Sequence, residues 1–254
     1  MSKPTFLNSE NPLLTCMVQA NDPSRIKELI SKAKPDGAEA FGMQFCRMKP
    51  EYRNKETYRE LFDFASPLPT YVTNYRGHGF NKEKSDEILA LELLELAECG
   101  ATLCDVMGDY FDPTEGELTM NEEAVKKQME LIDELHARGA EVLMSSHVLK
   151  YTPAERVLKI ALEHQRRGAD ICKIVTGASN MAEQIENLRI IDLLKKELEI
   201  PFLFLCGGEC HILRRIGGEI GCCMYLCVHE YDELATKSQP LLKDIKIIRD
   251  YLRK

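Results

Sequence analysis

Short apolar segments alternate with longer amphipathic segments along the whole chain. The apolar segments have the length of buried strands, and they lie at 13–18, 38–45, 70–75, 102–107, 141–145, 170–175, 202–206 and 222–228. The segments between them place apolar residues at helical spacing, at 22–33, 54–65, 82–98, 121–138, 153–167, 179–198, 209–219 and 239–253. The pattern therefore predicts eight strands that alternate with eight helices.

Residues at the segment boundaries support this division. Asp22-Pro23 is typical of an N-cap followed by a first helical turn. Gly100, Gly139 and Gly168 each follow a helical segment and precede an alanine and a strand. A helix commonly ends on a glycine in the left-handed conformation. The same order of helix, Gly-Ala and strand is thus repeated three times.

Alternating strands and helices are typical of a parallel sheet, and eight such units close into a (β/α)8 barrel, the TIM-barrel fold. The chain has 254 residues, and this barrel typically needs about 250. The competing fold, an open doubly wound sheet, usually has a Gly-rich turn after its first strand, but residues 18–22 contain no glycine. We therefore predict a single (β/α)8 barrel domain over residues 1–254.

Composition and charge argue against several classes of protein. The chain has 33 Lys and Arg against 41 Asp and Glu, a formal net charge of -8, which argues against nucleic acid as a partner. No apolar run approaches the ~20 residues that span a bilayer, so no membrane association is expected. The ten cysteines lie mostly in apolar segments and no secretory signal is evident, so we expect reduced thiols in a cytoplasmic protein.

Two residues at the carboxyl ends of adjacent predicted strands could carry chemistry, and active sites of (β/α)8 barrels lie at that end. Lys173 lies in an otherwise apolar strand, where burial disfavours the ammonium and leaves an amine that can form a Schiff base. His147 ends the preceding strand, where it can act as a general acid and base. The alternatives are a lysine that reaches solvent and a histidine that binds loop backbone.

Further polar residues are expected on the same rim. Gln44, Arg76 and Ser146 end predicted strands two, three and five, and we interpret them as substrate contacts. Arg215 follows strand seven and could bind a carboxylate through two hydrogen bonds, while one of Arg214 and Arg215 is expected to be solvated.

A cluster of metal ligands is the alternative interpretation of the cysteine-rich segment. Cys206, Cys210 and His211 precede the adjacent pair Cys222-Cys223. The spacing lacks the two C-x-x-C pairs of a structural zinc site, and adjacent strand residues point to opposite faces. No metal site is therefore expected.

Several of these segments resemble the type I 3-dehydroquinate dehydratases, which are (β/α)8 enzymes that form a Schiff base. Residues 145–153, SSHVLKYTP, are similar to the family motif S-x-H-x-F-x-x-T-P, and residues 168–173, GADICK, are similar to G-A-D-x-x-K. Residues 215–218, RIGG, are similar to part of the family's S-R-x-x-G. Ser238-Gln239 lies near the family's late P-G-Q loop.

The resemblance implies a reaction that needs no metal or organic cofactor. Lys173 would form an imine with the ketone of 3-dehydroquinate. His147 would remove the adjacent proton and then protonate the leaving hydroxyl, which gives 3-dehydroshikimate. Arg215 would bind the ring carboxylate and Gln239 would close over the substrate. The expected partner is a small-molecule keto acid, with a homodimer left open.

The chain also departs from the family pattern. The family has Glu-x-Arg at the end of strand two, where this chain has Gly42 and Gln44. A family glutamate on strand four supports the catalytic histidine, and here the position is Met107, with Asp109 as a loop alternative.

These departures leave three alternatives open. The first is a divergent Schiff-base lyase that acts on another keto acid. The second is a class I aldolase, because residues 173–177, KIVTG, are faintly similar to the lysine strand of deoxyribose-phosphate aldolases. The third is a non-catalytic, ligand-binding barrel.

Overall fold

The computed structural model describes residues 4–7 and 11–254, so residues 1–3 and 8–10 of the predicted domain lie outside the described residues. Eight strands and eight α-helices alternate along the described chain, as the pattern predicts. They are β1 Leu13–Val18, α1 Pro23–Ala33, β2 Ala40–Gln44, α2 Lys55–Ala65, β3 Thr70–Thr73, α3 Asp86–Cys99, β4 Leu103–Met107, α4 Glu122–Ala137, β5 Glu141–His147, α5 Ala154–Arg166, β6 Ile171–Ala178, α6 Met181–Glu197, β7 Phe202–Gly208, α7 Leu213–Ile220, β8 Met224–Cys227 and α8 Leu242–Leu252. Short 3-10 helices lie at Phe45–Arg47, Pro50–Tyr52 and Gly79–Asn81.

The strands form one parallel sheet in the order β7-β6-β5-β4-β3-β2-β1-β8. Strand β1 pairs with both β2 and β8, which brings the first and last strands together. Between β7 and β8 the described residues form no ladder, but the backbone N–H of Cys223 donates to the carbonyl of Phe202 at 2.9 Å. The prediction of a (β/α)8 barrel is confirmed, with one weakly bonded seam.

The helix boundaries follow the chemistry that the sequence indicates. The side chain of Asp22 accepts a hydrogen bond from the backbone N–H of Arg25 at 2.9 Å, which caps α1. Gly100, Gly139 and Gly168 have φ values of 118°, 75° and 94°, a conformation that glycine adopts without strain. These caps fix where each helix turns back into the next strand.

Buried apolar residues form one layer between the sheet and the helices and another inside the barrel. Gly42 in β2 creates space in the inner layer, because a Cβ atom there would lie 2.1 Å from the sulfur of Met17 and 3.4 Å from the ring of Tyr71. The floor of the barrel is therefore filled by Met17 and Tyr71 in place of a side chain from position 42.

Some element ends differ from those predicted. Strands β6 and β7 pair as far as Ala178 and Gly208, beyond the predicted ends at 175 and 206. Helix α7 begins at Leu213, not at 209, because the residues after β7 form turns. The longer strands raise one wall at the carboxyl end of the barrel.

Among the described residues, no helix has the length and apolar character needed to cross a membrane.

Candidate active site

A cavity of about 420 Å³ opens at the carboxyl ends of the strands. It brings together five of the seven residues that the sequence predicts for the site. These are Lys173, His147, Gln44, Arg76 and Gln239. Ser146 and Arg215 are not on its wall, which is completed by residues that include Arg47, Tyr71, Tyr75, Met107, Glu117 and Arg214.

Lys173 lies on β6 at the floor of this cavity and is only 4% exposed. Its Nζ atom lies 3.1 Å from Oδ2 of Asp105 on β4 and donates to the hydroxyl oxygens of Tyr71 at 3.0 Å and Tyr75 at 2.5 Å. The lysine is thus held at one point by a carboxylate and two phenols. Lys173 is evident from the sequence, whereas the cluster around it is not.

The carboxylate of this cluster carries its charge within the barrel. Burial alone would raise the pKa of Asp105, but Lys173 is its strongest charged partner and holds that pKa below the ordinary value. Oδ1 of Asp105 accepts a hydrogen bond from the hydroxyl of Ser145 at 2.5 Å, and Oδ2 accepts one from Tyr75 at 2.6 Å. Burial and then the Asp105 charge raise the pKa of Tyr71 well above its usual range, so this phenol stays protonated.

His147 ends β5 and is held by Glu117, which lies in the loop between β4 and α4. Oε2 of Glu117 lies 2.6 Å from Nδ1 of His147 and accepts the backbone N–H of the same residue at 3.1 Å. The ring of Tyr75 contacts the imidazole edge to face, with centroids 5.2 Å apart. Tyr75 therefore contacts both Lys173 and His147, and Glu117 is the carboxylate that the sequence analysis did not find.

The prediction that Ser146 contacts substrate is wrong, because successive strand residues face opposite sides of a sheet. Lys173 pairs in register with Ser145, which faces inward, so Ser146 faces the helices. Its hydroxyl donates to the backbone carbonyl of Glu117 at 2.6 Å and lies 3.0 Å from Nε2 of His164 on α5. Ser146 thus secures the loop that carries Glu117.

The arginine predicted from the seventh strand is displaced by one residue. Arg214, not Arg215, lines the cavity, and it is 9% exposed. Its Nε donates to the carbonyl of Cys206 at 3.2 Å. Arg215 binds the carbonyl of His211 on the exposed side of the first turn of α7, because neighbouring helical residues differ in direction by about 100°.

Arg76 and Asp109 bind each other rather than the reacting pair. The guanidinium of Arg76 lies 2.7 Å from a carboxylate oxygen of Asp86 and 3.2 Å from one of Asp109. Asp109 therefore does not support His147, which was its alternative role.

Gln239 lies in the loop between β8 and α8, where its side chain is buried. Its Oε1 has no hydrogen-bond partner in the described chain.

The cysteine-rich segment packs as part of the core. All ten thiols are free, and burial raises the pKa of Cys210 and of Cys222 to about 12. Across residues 4–7 and 11–254, no group of three or more His, Cys, Asp or Glu side chains is arranged to hold a metal ion.

The family model of the type I 3-dehydroquinases matches residues 17–250 of this chain. The chain belongs to the type I 3-dehydroquinase family. Curated 3-dehydroquinate dehydratases from Alkaliphilus oremlandii and Clostridium kluyveri are 33% identical over 92 residues and 30% identical over 100 residues. These matches cover 35% and 39% of this chain, and they span only 36% and 38% of the length of the two relatives.

Solved structures support the fold over a longer span. The 3-dehydroquinate dehydratases from Geobacillus kaustophilus and Clostridium difficile align with TM-scores of 0.82 and 0.80, each at 15% identity. The alignments cover 97% of this chain and 93% and 94% of those chains. At this identity the likeness shows a shared (β/α)8 architecture and nothing finer.

Proposed function

We propose that this 3-dehydroquinase family member is a Schiff-base-forming dehydratase that converts 3-dehydroquinate to 3-dehydroshikimate. The observation that carries the proposal is the arrangement of Lys173 and His147. The lysine is buried at the floor of the cavity, and Tyr75 contacts both residues. An amine nucleophile and an oriented base in one cavity suit chemistry at a carbon beside a ketone.

In the proposed first stage, Lys173 gives up a proton, for which Asp105 is an acceptor 3.1 Å away, and the amine so formed attacks the ketone carbon. The carbinolamine that forms loses water and becomes an iminium. Tyr75, 2.5 Å from Nζ, and Asp105, 3.1 Å from it, lie where they can exchange the protons of this stage. The iminium withdraws electrons from the neighbouring carbon, so the reaction needs no metal or organic cofactor.

In the second stage, His147 moves the proton. Its Nδ1 is engaged by Glu117, and its Nε2 has no hydrogen-bond partner in the part of the chain that the structure describes. Nε2 takes the proton from the carbon beside the iminium and returns one to the departing hydroxyl, so that water leaves. Glu117 stabilises the imidazolium that exists between these two steps. Addition of water to the product iminium then breaks the C–N bond, which releases 3-dehydroshikimate and restores the amine of Lys173.

Recognition of the substrate differs from the prediction in one residue. Arg214 replaces Arg215 as the proposed carboxylate ligand, because Arg214 is on the cavity wall. Gln44, Arg76 and Gln239 keep their proposed role as substrate contacts, and Gln239 has an unpaired buried oxygen that can accept a substrate hydroxyl.

A cytoplasmic location and a homodimer are also kept as proposals. The ten free thiols support the first, since thiols stay reduced in that compartment. For the second, the family resemblance is the motivation, and a sedimentation measurement would decide it.

Borohydride reduction in the presence of 3-dehydroquinate tests the proposal. We expect intact mass to increase by one reduced adduct, peptide mapping to place it on Lys173, and Lys173→Ala to abolish both the adduct and turnover. Lys150→Ala is the matched control, because Lys150 is also near the rim but is exposed and paired with Glu115. An adduct on any other lysine, or turnover by Lys173→Ala, would contradict the proposal.

A Schiff-base lyase that acts on a different keto acid is the second candidate. Met17 and Tyr71 fill the space beside Gly42, so no carboxylate from that position can bind substrate hydroxyls. Trapping of another ketone, combined with no turnover of 3-dehydroquinate, would favour this candidate.

A further inference from the structure

Arg167 follows the last residue of α5 and is buried, with only 1% of it exposed. A buried guanidinium is costly unless acceptors surround it, because it has left the water that hydrated it. Its charged partner is Glu163, whose Oε2 lies 3.3 Å away. The exposed Arg166 binds the same oxygen at 2.8 Å. Pairing with Glu163 therefore does not require an arginine inside the protein.

The rest of the Arg167 guanidinium binds the loop between β4 and α4, residues 108–121. Nη1 donates to the carbonyl of Gly108 at 3.0 Å, where the loop begins, and Nη2 donates to the carbonyl of Thr119 at 2.6 Å, near its end. The backbone N–H of Thr119 also donates to the Gly108 carbonyl, at 3.2 Å. One planar group thus joins both ends of the loop, which the fork of an arginine can do and a single ammonium cannot.

Gln128 on α4 completes this buried network. Its Oε1 accepts a hydrogen bond from Nη1 of Arg167 at 2.8 Å, and its Nε2 donates to the carbonyls of Gly108 at 3.3 Å and Tyr110 at 2.8 Å. Gln128 has no exposed surface. In a buried network whose members are all paired, each group holds the others in place.

The loop folds back so that Glu117 lies against the first residue of the loop. A Cβ atom at Gly108 would be 2.6 Å from the carbonyl oxygen of Glu117, so the two backbones are in close contact. Glu117 has a φ of 51°, which a residue with a side chain adopts only when its surroundings hold it there. Its carboxylate then lies 2.6 Å from Nδ1 of His147. A displacement of Gly108 is therefore expected to displace Glu117.

We propose that Arg167 is a positioning residue for the general base, since it fixes Gly108 and Thr119 so that Glu117 stays in contact with His147. The effect on turnover rests on the proposed function, in which His147 moves the proton. Lys173 has different partners, Asp105 and two tyrosines, so imine formation should not depend on Arg167.

Replacement of Arg167 tests the proposal. Arg167→Met removes the donors and keeps a side chain of some length, and we expect kcat to fall by about 10- to 100-fold, because a misplacement of about 1 Å can cost about 10²-fold. The rate at which borohydride traps an adduct on Lys173 should match wild type. Arg167→Lys should recover part of the loss. Arg166→Met is the matched control, because this neighbouring arginine binds the same Glu163 oxygen from the surface, and its kcat should equal that of wild type.

A double-variant cycle with Glu117→Gln distinguishes positioning from a merely structural role. If Arg167 acts through Glu117, Arg167→Met should lower kcat by less than about twofold once Glu117→Gln is present, because changes that act through one contact are not additive. Gln128→Met frees the same Gly108 carbonyl without removing a charge. It should show the same dependence on Glu117, and it provides the test if Arg167→Met does not fold.

The imidazole nitrogens of His147 provide a readout that needs no turnover. In nitrogen NMR spectra of histidine-labelled protein, Glu117→Gln should move the Nδ1 signal, and Arg167→Met should move it in the same direction. Arg166→Met should leave it in place, and His147→Ala assigns it.

Two results would overturn the inference. One is an equal fold-loss of kcat from Arg167→Met with and without Glu117→Gln. The other is an Nδ1 signal at its wild-type position in both Arg167→Met and Gln128→Met. If the wild-type protein forms no adduct and turns over no 3-dehydroquinate, while Arg167→Met still moves the Nδ1 signal, the proposed function fails and the positioning role stands.

Discussion

His147 owes its orientation to a single carboxylate oxygen. Oε2 of Glu117 contacts both the backbone N–H and Nδ1 of the histidine, so the ring and the chain that carries it are fixed together. The loop under Glu117 is itself tied down, because the hydroxyl of Ser146 binds the Glu117 carbonyl. Nδ1 is consequently occupied, which leaves Nε2 for the reacting proton.

Removing either member of this pair should slow turnover. We expect His147→Ala to lower kcat by about 10²–10⁴-fold, the usual share of general acid–base catalysis. Glu117→Gln should produce a smaller loss in the same direction, because the amide keeps the shape but not the charge. A steady-state assay of product absorbance measures both. Glu115→Gln, an exposed change in the same loop, should match wild type, and full activity in Glu117→Gln would remove Glu117 from the mechanism.

Lys173 and Asp105 form a buried ion pair, so removing one charge should cost stability. Asp105→Asn leaves the ammonium without its counter-charge, and we expect the free energy of unfolding to fall by about 3–5 kcal/mol. The double variant Asp105→Asn/Lys173→Met should recover most of this loss, because neither charge remains. Urea unfolding followed by circular dichroism measures the series. A double variant that is no more stable than Asp105→Asn would contradict the pairing.

The same pair predicts a dependence of stability on pH. The pKa of Asp105 is lowered from its ordinary value of 3.8, so the folded protein binds this proton less readily than the unfolded chain. The stabilisation is therefore complete above the ordinary pKa and is lost as the pH falls through it toward the lowered value. Urea titrations from pH 5 down to pH 2 should show a smaller acid dependence in the double variant than in wild type.

The residues of the site differed in how readily the sequence revealed them. Lys173 was predictable because a lysine is unusual in a buried strand, and His147 because it ends the neighbouring strand. Tyr71 and Tyr75 were not, since aromatic residues are ordinary in strands. Glu117 lies in a loop at a positive φ of 51°, and no periodic pattern extends through such a segment.

At the scale of elements, β1, β2 and β3 share one tightly packed contact. Gly42 on β2 pairs in register with Met17 on one side and Tyr71 on the other. The sequence indicated the strands but not this contact, because periodicity assigns a face and not the neighbours across it. The contact places the Tyr71 hydroxyl beside Lys173.

Adding one methyl group at Gly42 should disturb this contact. The new Cβ would lie 2.1 Å from the Met17 sulfur, so we expect Gly42→Ala to lower the free energy of unfolding by about 1–3 kcal/mol. In the Met17→Ala background, Gly42→Ala should lower the free energy of unfolding less than it does in the wild-type protein, because the sulfur is no longer there. Thermal unfolding of the four proteins gives the coupling between the sites, and additive effects would contradict the contact.

For the whole molecule, the fold was predictable because the repeated strand–helix pattern has few solutions at this length. The sparse hydrogen bonding between β7 and β8 was not predictable, since pairing between elements distant in the chain leaves no local signal. The acidic chain also carries cationic groups in its cavity, with a net charge of -8 overall. The cationic groups in the cavity therefore attract an anion only when it is close to them, because salt screens charges beyond about 8–10 Å.

The seam between β7 and β8 joins its edges partly through sulfur. The thiol of Cys222 lies 3.4 Å from the backbone nitrogen of Phe204 and 3.6 Å from its carbonyl oxygen. An alkylating reagent can reach this thiol only when the two edges separate. The rate at which Cys222 is labelled therefore measures how often the barrel opens at this seam. We expect Cys222 to be modified sooner than Cys104, which lies on β4 and pairs in register with Val72 of β3 and Val142 of β5. Mass spectrometry of timed samples would measure both labelling rates. Faster labelling of Cys104 than of Cys222 would show that the barrel opens at a different place.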